Sequence, residues 1–178
     1  RVVDAVNCGK VTTNDFSALS EATQKLISSA RQHIVLLSTI HKLNVGQQRA
    51  QGYIKAMNAS GLSPKILESD DQHVGEVMTE YLNNNPVDAI IALDTDASLA
   101  ALKAVKTNSK QIPEDVAVIG YVSERMARNL TPELTTINQH SYTIGNAAAT
   151  MIIEAIRSKS KDMNQVVISS TLSVRGSS

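Results

Sequence analysis

The chain of 178 residues predicts an α/β fold: a doubly wound, mostly parallel sheet. Three observations carry this prediction. Short apolar runs of strand length alternate with amphipathic stretches of helix length. Those runs are continuous in character, as in parallel strands covered on both faces. Pro, Gly and Asn punctuate the junctions between them.

Taken in order, Asp15 to Ser29 places Phe16, Leu19, Ala22, Leu26 and Ile27 at spacings of three and four, which predicts a helix capped by Asn14 or Asp15. His33 to Ser38 is an apolar strand. A loop through Asn44 leads to a helix from about Val45 to Asn58, ended by Gly61. Lys65 to Glu68 reads as a short strand. Asp70 and Asp71 precede a helix to about Leu82, which Asn83 to Pro86 break. Asp88 to Leu93 is the next buried strand, and Asp96 to Lys106 the next helix. Pro113 precedes the apolar run Val116 to Ile119, and Gly120 at its carboxyl end leaves room for an approach to the backbone. Open α/β sheets bind ligands at such strand ends. Pro132 precedes a strand at Leu134 to Ile137. A helix from Tyr142 to Arg157, a solvated linker from Ser158 to Asp162 and two short strands, Val166 to Ser169 and Thr171 to Val174, complete the chain.

Composition narrows the function. With 42% hydrophobic and 19% charged residues the chain is ordinary globular material. Lys plus Arg and Asp plus Glu both number 17, so the net charge is zero and the basic footprint of a nucleic-acid surface is missing. This stretch alone is expected to bind DNA poorly. Cys8 is the only cysteine; it forms no internal disulfide, fits a reducing compartment and reads as a buried, inert thiol. No apolar run approaches the roughly 18 to 20 residues of a membrane span, and the N-terminus lacks signal-peptide features.

Catalytic motifs are missing. His33, His41, His73 and His140 are scattered and make no metal-ligand spacing with Cys8. His73 and Glu76 share a helix face and read as a solvated pair. No nucleophile elbow, phosphate-binding Gly-rich loop or dinucleotide fingerprint occurs. The expectation is therefore no enzyme, no cofactor and no metal. Read from the residues alone, Arg49 is a helix-surface arginine, while Asp94 and Asp96 can equally accept ligand hydroxyls or cap the helix beginning near Asp96. Gln139 satisfies backbone at a chain crossing, while Met126 and Leu130 are core packing or an exposed contact.

A set of phrases changes these readings. Pro113-Glu114-Asp115-Val116-Ala117-Val118-Ile119-Gly120-Tyr121 is followed by Pro132-Glu133-Leu134-Thr135-Thr136-Ile137-Asn138-Gln139. Gly145-Asn146-Ala147-Ala148, Arg49-Ala50-Gln51-Gly52-Tyr53 and the terminal Val174-Arg175-Gly176-Ser177-Ser178 accompany them. Together they resemble the lactose/galactose repressor (LacI/GalR) family of bacterial transcription regulators, in order and over nearly the whole chain. The resemblance implies two lobes joined by three crossings, as in periplasmic sugar-binding proteins. Residues 12–139 would form the C-terminal lobe, while 1–11 and 140–178 would supply crossing segments and part of the N-terminal lobe. The DNA-binding helix-turn-helix and half of the cleft would lie upstream, outside this chain.

By the same resemblance Arg49 projects into the cleft toward ligand hydroxyls or carboxylates, Gln139 lies near cleft and hinge, and the loop holding Met126 and Leu130 meets a second subunit. The implied partners are a carbohydrate-like small-molecule effector, operator DNA through the N-terminal domain, and a second copy in a homodimer, all in the cytoplasm and away from membranes. Two positions depart from the pattern. Leu93 stands where relatives carry a ligand-facing Asn, leaving Asp94 as the candidate there. Val122 stands where many carry a sugar-gripping Asp, so either the ligand differs or Ser123 substitutes in part. The alternative is a periplasmic sugar-binding receptor of a transporter, which shares the fold; an α/β enzyme would need a nucleophile or metal cluster.

Overall fold

A computed structural model describes residues 8–158 and 164–178. Apart from Ser158, the expected linker lies outside the described residues, as does segment 1–7. The elements are β1 (Lys10–Thr13), α1 (Asp15–Ser28), β2 (Ile34–Ser38), α2 (Asn44–Ala59), β3 (Lys65–Glu68), α3 (Val74–Asn84), β4 (Ala89–Ala92), α4 (Thr95–Thr107), β5 (Ala117–Gly120), α5 (Glu124–Asn129), β6 (Thr135–Asn138), α6 (Ser141–Ser158), β7 (Gln165–Ile168) and β8 (Thr171–Ser173).

The larger sheet runs β3-β2-β4-β5-β6-β8, parallel except for the antiparallel edge β8. Every residue of β2, β4 and β5 is buried, so these strands need apolar side chains on both faces. One face packs on α1 and α2 through a cluster that includes Leu19, Leu36, Tyr53 and Ile91. The other packs on α3 and α4 through Leu37, Met78, Ile90 and Val105. These three layers make the doubly wound lobe that the apolar runs predict.

The Arg-x-x-Gly-Tyr phrase has a packing role here. A Cβ on Gly52 would lie 2.1 Å from the Phe16 carbonyl oxygen, so only glycine lets α2 approach α1 this closely. Tyr53 Oη accepts from Lys65 N at 2.8 Å and lies 2.8 Å from the Ile34 carbonyl, its acceptor, tying α2 to β2 and β3. Burial of this phenol pushes its pKa up to about 12.

A smaller sheet pairs β1 with β7 in parallel and carries α6, which has no buried residue. Ile152, Ile153 and Ile156 on α6, and Val167 on β7, are exposed. Among the described residues Cys8, just before β1, is exposed, contrary to the buried thiol expected.

Three crossings connect the two sheets: β1 to α1, β6 to α6, and β7 to β8. They are laced together. Asn14 Oδ1 accepts from Ser170 N at 2.7 Å, Gln139 Nε2 donates to Thr13 Oγ1 at 3.4 Å, and His140 Nε2 lies 3.1 Å from Thr171 Oγ1.

The end of the chain returns to the larger sheet after the third crossing. β8 and the residues after it lie on the larger sheet. β5 and β6 pair only at Ile119–Thr135 and Gly120–Thr136, and Ser177 bridges the gap beside those pairs. Ser177 O accepts from Val118 N at 2.7 Å. Its hydroxyl donates to Val118 O at 2.6 Å and accepts from Thr135 N at 2.8 Å. Arg175 donates to the Leu134 and Ser173 carbonyls and to Glu124 Oε1. The terminal Arg-Gly-Ser-Ser phrase is thus a clasp that supplies the backbone partners missing between two diverging strands.

Candidate ligand-binding cleft

The crossings run past the carboxyl ends of the parallel strands, and two cavities open there. The larger, about 960 Å³, lies among β1, the first turn of α1, the loop before α2, Arg49 and Gln139. The second, about 620 Å³, is lined by Asp94, Tyr121 to Glu124, and the crossing after β6. Arg49 and Gln139 line both. The four residues singled out from the sequence, Arg49, Asp94, Ser123 and Gln139, all line the second cavity.

Their local roles differ. Arg49 is buried, unlike the surface arginine that its helix alone would suggest. Its Nε donates to Asp15 Oδ1 at 2.7 Å, Nη1 donates to the Leu93 carbonyl at 2.5 Å, and the guanidinium lies 3.8 Å from the centroid of the Tyr121 ring. Asp15 in turn accepts from Thr13 Oγ1 at 2.6 Å. A polar chain therefore runs from Gln139 through Thr13 and Asp15 to Arg49 and the end of β4.

Asp94 is a structural cap as well as a lining residue. Its Oδ1 accepts from Ala97 N at 2.9 Å at the start of α4, and its Oδ2 accepts from Thr39 N at 3.0 Å after β2. Ser123 likewise caps α5, accepting from Met126 N at 3.2 Å. That six-residue helix was expected to be loop. Within it Met126 is exposed, while Leu130 just after it is half-buried against the core on the α3–α4 side.

Gly120 does make room for an approach to the backbone, but a side chain of the protein fills it. A Cβ there would lie 2.4 Å from Ser98 Oγ. That hydroxyl accepts from Tyr121 N at 2.9 Å and donates to Asp94 O at 2.6 Å, bracing the β4 and β5 ends against each other.

Asp15 is more than a helix cap, and Tyr121 is part of the cleft, though neither stands out in the sequence. Tyr121 is buried, its hydroxyl has no hydrogen-bond partner among the described residues, and burial raises its pKa well above the ordinary tyrosine value. Nothing local marks either residue, because Asp15 and Arg49 are 34 positions apart.

The described residues thus form a doubly wound lobe joined by three laced crossings to a second, two-stranded sheet, with cavities at the strand ends around a held arginine. The chain belongs to the family of periplasmic binding protein-like domains, whose model matches residues 23–178, and its relatives are LacI-family regulators. It is 30% identical over 163 residues to the HTH-type transcriptional regulator CelR of Thermobifida fusca, covering 88% of this chain and 48% of that protein. It is 28% identical to the HTH-type transcriptional repressor PurR of Histophilus somni, covering 96% of this chain and 53% of that one. A solved structure of a CelR–cellobiose complex superposes with a TM-score of 0.87 at 26% identity, over 97% of this chain and 54% of the other. The chain spans about half the length of the curated relatives it matches. No described helix is long and apolar enough to cross a membrane.

Proposed function

We propose that this chain is the effector-binding part of a dimeric, cytoplasmic transcription regulator, and that its ligand is a carbohydrate-like small molecule held in the cleft around Arg49 and Gln139. The observation that carries the reading is the convergence of Arg49, Asp94, Ser123 and Gln139 on one cavity beside all three crossings. A ligand there touches residues of the larger sheet and of the segments leading to the smaller one. It therefore binds with different affinity to different lobe arrangements, and that difference is the free energy available for control.

Each residue has a part. Arg49 offers the N–H groups that Asp15 and Leu93 leave over, and Gln139 both donates and accepts at the hinge. Asp94 and Ser123 fix the strand-end backbone while facing the cavity. Met126, exposed on α5, and Leu130 beside it contribute to a two-fold contact between lobes. DNA contact falls to a helix-turn-helix elsewhere in the whole protein, consistent with the zero net charge of this chain. The names of the relatives, HTH-type regulators and repressors, favour this reading over a transport receptor.

Fluorescence anisotropy of the whole protein on its own promoter DNA, with and without candidate sugars and nucleobases, tests the proposal. At least one ligand is expected to change the DNA affinity by about 5-fold or more. An affinity indifferent to all of them contradicts it.

A further inference from the structure

Arg49 is the buried cation of the cleft, yet its charge is already balanced within the protein. The Arg49 and Asp15 side chains are only 5% and 13% exposed and meet at 2.7 Å. Asp15 is anchored by Thr13 and Arg49 by the Leu93 carbonyl and the Tyr121 ring. Toward an anion in the cleft, the attraction of the guanidinium is opposed by a carboxylate in contact with it, in surroundings where screening by water is weak. The other acids of the second cavity are also committed. Both oxygens of Asp94 take backbone N–H groups, and Glu124 pairs with Arg175 at 2.6 Å. Beside them lies the apolar side chain of Val122.

A neutral hydroxyl suits this arrangement better than a charge. Of the five N–H donors of a guanidinium, Asp15 and Leu93 engage Nε–H and one on Nη1. The rest can donate to sugar oxygens without the pair separating.

We infer that Asp15 is a specificity-determining residue: by neutralising Arg49 it sets the cleft for an uncharged polyhydroxylated ligand and against the carboxylate- or phosphate-bearing counterpart of the same ligand. The inference rests on the proposed effector-binding role and adds to it the ligand's charge and the residue that selects it. Lys10 and Lys42 also line the larger cavity, and Lys42 is exposed to screening solvent. Preferential capture of an anion by these lysines is the competing outcome.

Calorimetric titration at fixed ionic strength with matched pairs reads the preference directly: cellobiose and cellobionate, lactose and lactobionate, ribose and ribose 5-phosphate. The whole protein should bind the neutral member of at least one pair about 30-fold or more tighter than its anionic partner. Asp15→Asn, which keeps the acceptor oxygen and removes the charge, should narrow that ratio about 10-fold, chiefly by strengthening the anion. The wild-type ratio decides the preference by itself if the variant does not fold. An anion bound as tightly as its neutral partner, or a ratio unchanged in folded Asp15→Asn, overturns the role of Asp15 and leaves the effector-binding reading standing. Failure of every compound to bind the wild type overturns both.

Discussion

Replacing Asp94 by Ala separates a structural carboxylate from one that serves only a ligand. Asp94 lies in extended conformation just before α4, and its two oxygens accept from Ala97 N at 2.9 Å and Thr39 N at 3.0 Å. Loss of the helix cap costs about 1 kcal/mol. Loss of a charge-assisted bond to the part-buried Thr39 N–H costs about 1.5–3 kcal/mol more. The sum, about 2.5–4 kcal/mol, lowers the melting temperature of a domain of this size by about 5–15 °C. Asp94→Asn should recover only the cap, about 1 kcal/mol of that sum, since its amide oxygen can still accept from Ala97 N while its NH₂ faces the Thr39 donor without accepting from it. The assay is thermal and urea unfolding followed by circular dichroism, without ligand. An Asp94→Ala protein melting within about 2 °C of the wild type refutes the bracing role, because the structural bonds would then contribute almost nothing.

Tyr53→Phe should destabilise by about 2 kcal/mol in the same assay, since Lys65 N and the Ile34 carbonyl lose the hydroxyl between them. An alkaline absorbance scan of the wild type should show a phenol that burial pushes up to about 12, and the variant should lack it. His73, hydrogen-bonded at 2.7 Å to Asp70, has its pKa raised by that partner, while the Asp70 pKa is lowered. The favourable interaction is therefore full below the ordinary histidine value of about 6.5 and lost as pH rises through the higher folded value. It is also lost at the acid end, as pH falls through the lowered Asp70 pKa. Because both groups are exposed, the readout is an NMR titration of the His73 ring: Asp70→Asn should move its midpoint down, and an unmoved midpoint contradicts the pairing.

Much of the larger lobe was legible because burial on both faces demands unbroken apolar runs, and β2, β4 and β5 have them. The helices announced themselves by one-sided spacing, as in α1, where Leu19, Ala22 and Leu26 are buried. Boundaries moved by a residue or two. Short elements were less legible. α5 has six residues, too few for a period to show, and β8 has three, whose place opposite β6 depends on pairing Ser173 with Thr136 far back in the chain.

The site divided in the same way. Resemblance pointed to Arg49, Asp94, Ser123 and Gln139, and they line one cavity. What each does there is set by tertiary partners. Residue types allowed Asp94 to be a ligand or a cap, and only the distances to Ala97 and Thr39 show the cap. The Asp15–Arg49 pair leaves no local trace, and the open space at Gly120 belongs to Ser98.

The role of Arg49 in holding a ligand is open to direct measurement. The whole protein is titrated by calorimetry with cellobiose, ribose and lactose, alongside Arg49→Lys, which keeps the charge but loses the forked donors. Saturable binding of at least one sugar is expected, weakened about 10-fold or more, or ~1.4 kcal/mol, in an Arg49→Lys protein that retains its far-ultraviolet spectrum. Binding unchanged in the folded variant, or no binding of any of the three to the wild type, would contradict that role.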